Sequence, residues 1–254
     1  MPKNKTQKSL NTGKIQMIYG LHAVRAALLN NQRVHEELHI TENNHKIAEN
    51  HRSKIKKITV LDQKEFKKLH GGEKSTQGVV LKTNDFERPS LQQFLKKENV
   101  NGKSVLLALD QITDPQNIGS IMRSCALFNC KGIIVAKDNA PDLTPSLYKA
   151  ASGAAEIVNY FKVTNLKRSI SELKKHGYWA YGFDSSNDSK SANINFSKKS
   201  ILVFGSEGKG IRELVKKECD EIIKLKMQQD THYQIDSLNV SNAASIALYE
   251  FYKS

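Results

Sequence analysis

The amino-acid sequence predicts an α/β protein with two domains. The chain has 254 residues, and because domains usually contain roughly 100–200 residues, two domains fit this length better than one. Short apolar runs alternate with helix-length segments along most of the chain, which is the order of elements in α/β folds. Hydrophobic residues make up 39% and charged residues 26% of the chain, a balance that supports folded cores.

The first predicted domain, residues 15–83, is a small α/β unit. Its apolar residues fall in short runs with either helical or alternating spacing. The predicted elements are a helix at Ala23–Leu29, strands at Glu37–Thr41 and Ile58–Leu61, a helix at Gln63–Leu69 and a strand at Gly78–Leu81. Residues 1–14 contain lysine but no acid and few apolar side chains, so we predict a disordered basic arm there.

Residues 84–103 form the predicted linker between the domains. The segment is polar and charged, and Pro89 and Gly102 interrupt it. A short helix at Leu91–Lys97 is the one regular element that its pattern allows.

The second predicted domain, residues 104–254, has continuous apolar strands separated by helix-length stretches. Such runs are typical of parallel strands that are covered on both faces. The predicted strands are Val105–Leu109, Gly132–Ala136, Trp179–Phe183 and Ile201–Phe204. An open α/β sheet binds its ligands beyond the carboxyl ends of its strands, so we expect the site there.

The charge of the chain favours a polyanionic partner. Lys and Arg number 39 against 26 Asp and Glu, which gives a formal net charge of +13. Residues 1–100 carry 19 of the basic and only 10 of the acidic side chains. Nucleic acid is the leading candidate, because basic side chains release counterions from its phosphates. A lysine-rich surface that only keeps the protein soluble is the alternative.

The cysteines and the apolar runs indicate a cytoplasmic protein. Cys125, Cys130 and Cys219 include no C-x-x-C pair and are interpreted as reduced thiols. No apolar run approaches the roughly 20 residues that a bilayer span requires, so we expect no membrane association.

Three polar loops of the second domain carry the candidate chemistry. Residues 110–123 contain N-x-G-x-x-x-R, residues 201–211 contain G-S-E-G-x-G, and residues 235–245 contain S-L-N-V-S-x-A. Taken singly, each loop also fits an ordinary structural role, such as Asn117 capping a helix while Arg123 forms a surface ion pair. The second loop matches neither G-x-G-x-x-G nor the Gly-Lys-Ser/Thr ending of a P-loop, which counts against nicotinamide and ATP sites.

In this order the three motifs are highly specific, and together they resemble those of SpoU-type methyltransferases of the SPOUT (SpoU/TrmH) superfamily. The resemblance covers residues 104–251, including the segment A-S-G-A-A-E at residues 151–156. Residues 18–24 and 77–79 extend it forward, since they look like the L30e-like RNA-binding domain that precedes the catalytic domain in the RlmB subgroup.

The resemblance implies a fold, a cofactor and a partner. It implies a trefoil knot in the catalytic domain, a rare exception to the rule that chains are unknotted. The knot would hold S-adenosylmethionine in a bent pose, and two catalytic domains would pack as a homodimer. By resemblance, Gly205, Leu225, Met227 and Leu238 contact the cofactor, mostly through the main chain, and no metal is expected.

Methyl transfer to a ribose 2′-hydroxyl requires that the hydroxyl be held in line and lose its proton, because it is a poor nucleophile at neutral pH. The polar candidates are Arg123, Asn117, Glu207, Ser237 and Asn239. By resemblance, Arg123 is either the base that takes the hydroxyl proton or a positioning group. Arginine normally keeps its proton, so we favour the role in which Arg123 fixes the ribose phosphate and stabilises the developing alkoxide. Glu207 and Asn239 would then orient the hydroxyl and Arg123.

Two positions depart from the subgroup pattern. Leu225-Lys226-Met227 replaces the usual I-P-M turn, and Thr76 stands where His often precedes Gln-Gly. The first departure affects the cofactor loop, and the second affects the RNA contacts of the first predicted domain, residues 15–83.

The last helix supports the predicted dimer. From Val240 to Tyr252 it presents a stripe of mostly small residues, which suits close helix packing between subunits; the stripe is Ala243, Ala244, Ala247 and Leu248. An ordinary packing face within one chain is the alternative interpretation.

Three functions remain in competition. The resemblance to the RlmB subgroup favours methylation of a guanosine ribose in large-subunit (23S-type) rRNA, and the ordered front domain also favours rRNA. A tRNA ribose is the alternative substrate, because tRNA enzymes of the family share all three motifs. A non-catalytic RNA-binding or assembly factor is the third possibility, although it would have no need of Asn117, Arg123, Glu207 and Asn239 together.

Overall fold

A computed structural model describes residues 14–71, 76–98, 102–138, 140–184, 194–226 and 237–254. Contacts divide the chain into two compact units, the first ending at Glu87 and the second running from Arg88 to Ser254. The predicted basic arm lies outside the described residues, apart from Lys14.

The first unit is a four-stranded mixed sheet with helices. Its elements are β1 Ile15–Tyr19, α1 Leu21–Leu29, β2 His35–Thr41, α2 His45–His51, β3 Ile55–Leu61, α3 Gln63–His70 and β4 Val79–Asn84. The strand order is β1-β4-β2-β3, in which β2 and β3 are parallel and the other pairs are antiparallel. The predicted helices and strands of this region are confirmed. Strand β1 was not predicted, because it is a short edge strand with Ile15 exposed.

The second unit is a six-stranded sheet with helices. Its elements are α4 Leu91–Lys97, β5 Ser104–Asp110, α5 Pro115–Leu127, β6 Gly132–Ala136, α6 Pro145–Ala151, β7 Asn159–Val163, α7 Leu166–Lys175, β8 Trp179–Phe183, β9 Lys199–Gly205, α8 Glu213–Lys216, β10 Glu221–Ile223 and α9 Val240–Lys253. The order is β10-β8-β9-β5-β6-β7, and every pair is parallel. The predicted parallel sheet is therefore confirmed.

The strand order determines where the site forms. Strand β9 lies between β8 and β5, although β5 precedes β9 by about ninety residues. Because parallel strands end at the same edge of a sheet, the loops after Asp110, Phe183 and Gly205 lie side by side.

The helix at Leu91–Lys97 packs onto the second unit rather than standing in a linker. A capping box between Ser90 and Gln93 starts this helix. Leu91 is buried, and the ring of Phe94 lies 5.4 Å from that of Phe161 on β7. Burial of these apolar side chains holds residues that the sequence predicts as a linker against the sheet.

No helix within the described ranges is both long enough and apolar enough to cross a membrane.

Candidate active site

The first loop leads from β5 into α5. Asp114 caps this helix by accepting a hydrogen bond from the Gln116 amide at 3.0 Å, and Pro115 occupies the first helical turn. The interpretation of Asn117 as the cap is therefore wrong, because Asp114 already occupies that position. Asn117 lies within the first turn, and its side chain is available for contacts outside the helix.

Gly119 allows α5 to lie close to α6. A Cβ atom at this position would overlap with the Cβ of Ala150 and would lie 2.9 Å from the Ala151 amide. Because Gly119 has no side chain, α5 packs directly against α6, and this packing positions Asn117.

The second loop is a tight turn at the end of β9. Ser206 and Gly210 form an antiparallel bridge, and Gly208 and Gly210 have φ angles of +81° and +66°. A Cβ at Gly205 would overlap with the main chain of Gly210, so the turn closes only with glycine here. Glu207 is exposed at the tip of this turn.

The three loops meet at one hydrogen-bonded cluster. Asn239 caps α9 through the Ser241 amide, and its Nδ2 donates to Glu207 Oε1 at 2.7 Å and to Asn117 Oδ1 at 3.0 Å. Asn117 Nδ2 and the Val240 amide also approach Glu207 Oε1, each at 3.4 Å. Three of the five predicted catalytic residues, each from a different loop, are thus brought together.

The hydrogen bonds of Glu207 engage one of its two carboxylate oxygens. Those formed within the described residues all end on Oε1, and none of them ends on Oε2. A carboxylate oxygen held in this way can accept a hydrogen bond from a hydroxyl group.

Arg123 does not join this cluster. It lies six residues after Asn117, about 240° further round α5, and its side chain is exposed. In the part of the chain that the structure describes, it forms neither a hydrogen bond nor the surface ion pair considered above. The expectation that Glu207 and Asn239 orient Arg123 is therefore wrong within a single chain.

A cavity of about 330 Å³ opens beside the cluster. The ends of β8, β9 and β10 and the residues before α9 line it. Three predicted cofactor residues, Gly205, Leu225 and Leu238, are among the lining residues. Met227, the fourth, lies outside the described residues.

The cavity fits an amphipathic ligand such as S-adenosylmethionine. Its size is within the roughly 300–1,000 Å³ of typical small-molecule sites. The rings of Phe183 and Phe204 stack at 4.8 Å and form an apolar wall, while Ser237 and Glu207 contribute polar groups. Main-chain groups of the Gly205 turn form another wall, which suits recognition through the backbone.

An ion pair that the sequence analysis missed fixes the second loop. Asp110 is fully buried at the end of β5 and accepts hydrogen bonds from the Arg212 amide at 2.9 Å and from its guanidinium at 2.6–3.1 Å. These hydrogen bonds raise the pKa of Arg212. The position of Asp110 directly after an apolar strand could have indicated this ion pair in the sequence, since a buried carboxylate needs a partner.

The small-residue stripe of α9 packs inside the chain. Ala244, Ala247 and Leu248 are fully buried, and Ser245 Oγ lies 2.6 Å from Ser124 Oγ on α5. Three of the four side chains of this stripe are thus covered within the chain, and Ala243 is half-buried at the cavity, so the stripe itself does not support a dimer.

Exposed apolar side chains of α9 and of the end of α5 form a further group. On α9, Ile246 is 41% exposed, Tyr249 49% and Tyr252 61%, and the ring of Phe128, which follows α5, lies 5.9 Å from each tyrosine ring. Leu127, the last residue of α5, is 77% exposed. We refer to these five residues as the aromatic patch. Arg123 and Leu127 lie one helical turn apart, so Arg123 borders it.

The two departures from the subgroup pattern have different surroundings. Lys226 is exposed after β10. Thr76 is buried, and its carbonyl accepts a hydrogen bond from the Gly20 amide at 3.1 Å. A structural role of Thr76 within the first unit is therefore evident, whereas its effect on RNA contacts stays a prediction.

Comparisons with known proteins agree with this geometry. The SpoU rRNA Methylase family matches residues 104–249, and the RNA 2′-O ribose methyltransferase substrate binding family matches residues 17–89. The putative TrmH family tRNA/rRNA methyltransferase YacO of Bacillus subtilis is 39% identical over 178 residues, which are 70% of each chain. The 23S rRNA (guanosine-2′-O-)-methyltransferase RlmB of Coxiella burnetii is 33% identical over 93% of this chain and 95% of its own.

A solved structure shares the fold. The SpoU methyltransferase AviRb of Streptomyces viridochromogenes, in complex with the cofactor AdoMet, superposes with a TM-score of 0.73 at 21% identity. The match covers 93% of this chain and 89% of that chain. The predicted fold class, a small α/β domain followed by a SPOUT-type catalytic domain, is confirmed.

Proposed function

The chain belongs to the SpoU rRNA methylase family of RNA 2′-O-methyltransferases, and on that premise we propose that it methylates a guanosine ribose of large-subunit rRNA with S-adenosylmethionine. The observation that carries this proposal is the cluster of Asn117, Glu207 and Asn239 beside a cavity of cofactor size. The Coxiella burnetii relative, which is named as a 23S rRNA methyltransferase and matches 93% of this chain, supports rRNA over tRNA.

The cluster acts on the ribose hydroxyl. Asn117 and Asn239 hold Glu207 through Oε1, which leaves Oε2 to accept the hydrogen bond of the 2′-hydroxyl. When bound, S-adenosylmethionine would supply the methyl group as a sulfonium. The hydroxyl proton would pass to Glu207 Oε2 while the oxygen bonds to the methyl carbon and the methyl–sulfur bond breaks, which leaves S-adenosylhomocysteine. Gly205, Leu225 and Leu238, with Met227 from outside the described residues, would hold the cofactor.

Arg123 acts from the partner subunit. Within the described residues it makes no hydrogen bond or ion pair with the cluster of its own chain, and it lies one helical turn from Leu127 of the aromatic patch. A contiguous group of exposed apolar side chains commonly marks an interface. Two copies of the chain that pair through the aromatic patch form a homodimer. Arg123 of one subunit then binds the RNA phosphate next to the ribose held by Glu207 of the other, as its planar fork of donors permits.

Membership in the family supports a trefoil knot in the catalytic domain, and Leu225 and Leu238 are among the residues that line the cavity. The basic surplus of residues 1–100 and the match of residues 17–89 to a substrate-binding family support RNA binding by the first unit. Cys125, Cys130 and Cys219 are all unpaired, which suits a cytoplasmic enzyme.

Methyl transfer from labelled S-adenosylmethionine to purified, unmodified RNA fractions tests the proposal. We expect label in large-subunit rRNA, in alkali-resistant dinucleotides, because a 2′-O-methyl group blocks cleavage at that position. Label confined to tRNA would support the alternative substrate. Absence of label in every fraction, from protein that binds RNA, would support a non-catalytic factor.

A further inference from the structure

Asp184 is a carboxylate in the cofactor cavity to which the methyl transfer described above assigns no role. We propose that Asp184 accepts hydrogen bonds from the ribose hydroxyls of the adenosine part of S-adenosylmethionine. This proposal rests on the proposed function, because it presumes that the cavity takes this cofactor.

The backbone fixes Asp184 at the cavity wall. It directly follows β8, and its amide donates to the Ile223 carbonyl at 3.1 Å, which continues the parallel pairing of β8 with β10. Its side chain is only 12% exposed. The preceding residue, Phe183, stacks on Phe204 in the apolar wall, so a flat ring and a carboxylate stand next to each other.

Gly210 leaves room in front of this carboxylate. A Cβ at Gly210 would lie 3.4 Å from Asp184 Oδ2, in contact with it. Any larger side chain would therefore extend across the carboxylate. With glycine there, the turn that positions Glu207 also leaves Asp184 accessible from the cavity.

The charge balance favours hydroxyl donors over a second cation. Lys216 Nζ lies 3.3 Å from Asp184 Oδ2 and neutralises it. A carboxylate has about four acceptor positions, so it can accept hydrogen bonds from the neutral donors of a ligand alongside its ion pair with Lys216. In dinucleotide-binding α/β folds, an acid downstream of the phosphate loop likewise accepts the hydroxyl of a ribose. The same chemistry at the carboxyl end of β8 fits an adenosine whose base lies against the Phe183 wall.

A purely structural role is the competing explanation. In that case Asp184 would serve only to tie α8 to the end of β8 through Lys216. The two roles differ in one respect, because only the proposed one depends on the hydroxyls of the ligand.

Calorimetry with two ligands separates the roles. The ligands are S-adenosylhomocysteine and its 2′,3′-dideoxyadenosyl counterpart, and the proteins are the full-length wild type, Asp184→Asn, Asp184→Ala and the control Lys216→Met. We expect both Asp184 variants to bind the ribose ligand about tenfold to a hundredfold more weakly than wild type, the usual effect of losing a hydrogen bond to a charged group. They should bind the dideoxy ligand with nearly wild-type affinity. Lys216→Met should keep the wild-type ratio of the two affinities.

Four outcomes overturn the proposal. One is an equal loss for both ligands in the Asp184 variants, and another is no loss for either, measured on variants that unfold at the wild-type temperature. The third is a wild-type protein that binds neither ligand, which would refute the cofactor assignment and this proposal with it. A wild type that binds both ligands equally well would refute the proposal and leave the cofactor assignment intact.

Discussion

Glu207 is the residue on which the proposed chemistry depends most directly, because it joins the three loops. It lies 90 residues from Asn117 and 32 from Asn239 along the chain, yet both contact its Oε1. The sequence motifs identified all three residues as candidates. Their spacing gave no indication that they touch, since contact depends on β9 inserting between β5 and β8.

Replacement of Glu207 tests the cluster. We expect Glu207→Gln to lower the rate of methyl transfer by about 100-fold or more, because the amide keeps the shape but removes the acceptor charge beside the hydroxyl. Cofactor affinity and unfolding temperature should stay near wild type. The matched control is Glu213→Gln, an exposed acid of α8 outside the cavity lining. Single-turnover rates that are unchanged in Glu207→Gln would contradict the proposed role.

A histidine pair makes the stability of the first unit depend on pH. His39 Nδ1 and His70 Nε2 lie 2.7 Å apart, so one ring donates its proton to the other. Burial, together with the charges of His39 and Lys82, lowers the pKa of His70 below its ordinary value of 6.5. The unfolded chain therefore binds more protons than the folded one just below pH 6.5. The contribution of His70 to the free energy of unfolding is therefore complete above pH 6.5 and is lost as the pH falls below it.

The corresponding variant is His70→Gln, with His22→Gln as the control because His22 is exposed. Between about pH 7 and pH 5, the free energy of unfolding of the wild type should decline more steeply than that of His70→Gln. Denaturant titrations at each pH measure this difference. Glu37 does not offset it, because Lys57, His39 and Lys82 lower its pKa, which moves its effect below pH 4.5. Parallel pH dependences in wild type and His70→Gln would be inconsistent with the assignment.

At the scale of elements, buried strands were predictable, whereas the edge strands β1, β7 and β10 were not. Strand β5 is buried along its whole length, and its apolar run marks it in the sequence. Strand β7 mixes apolar residues with Asn159 and Lys162 in no regular alternation, and β10 has only three residues, so neither gives a clear pattern. Helix α9 illustrates a second limit. Its small residues indicate close packing but do not tell whether the partner is the same chain or another.

The contact between α5 and α6 explains Gly119. Replacement by alanine should lower the free energy of unfolding by about 1–3 kcal/mol, because the new methyl group overlaps Ala150 and forces the two helices apart. Gly102→Ala is the control, since a Cβ there meets no atom within 4 Å and the φ of Gly102 is not positive. Equilibrium unfolding in denaturant measures both variants. Equal stability of Gly119→Ala and wild type would mean that the helices move apart at no cost.

At the scale of the whole molecule, the position of Arg123 predicts an active site shared between subunits. Arg123→Ala and Glu207→Gln should each be nearly inactive alone. After the two proteins are unfolded and refolded together in equal amounts, half of the dimers are mixed, and one of the two sites in each mixed dimer has both residues. We therefore expect about a quarter of the wild-type rate. No recovery, with dimer exchange verified by mass spectrometry, would place Arg123 and Glu207 in the same subunit's site.

The most direct test of the central claim is a map of 2′-O-methylated positions in total RNA. Cells carrying the wild-type gene are compared with cells carrying Glu207→Gln, so that the folded protein is present in both. The proposed function predicts that one guanosine of large-subunit rRNA is methylated in the first cells and unmethylated in the second, with every other position unchanged. Identical maps from the two strains would contradict it, as would a loss of methylation confined to tRNA.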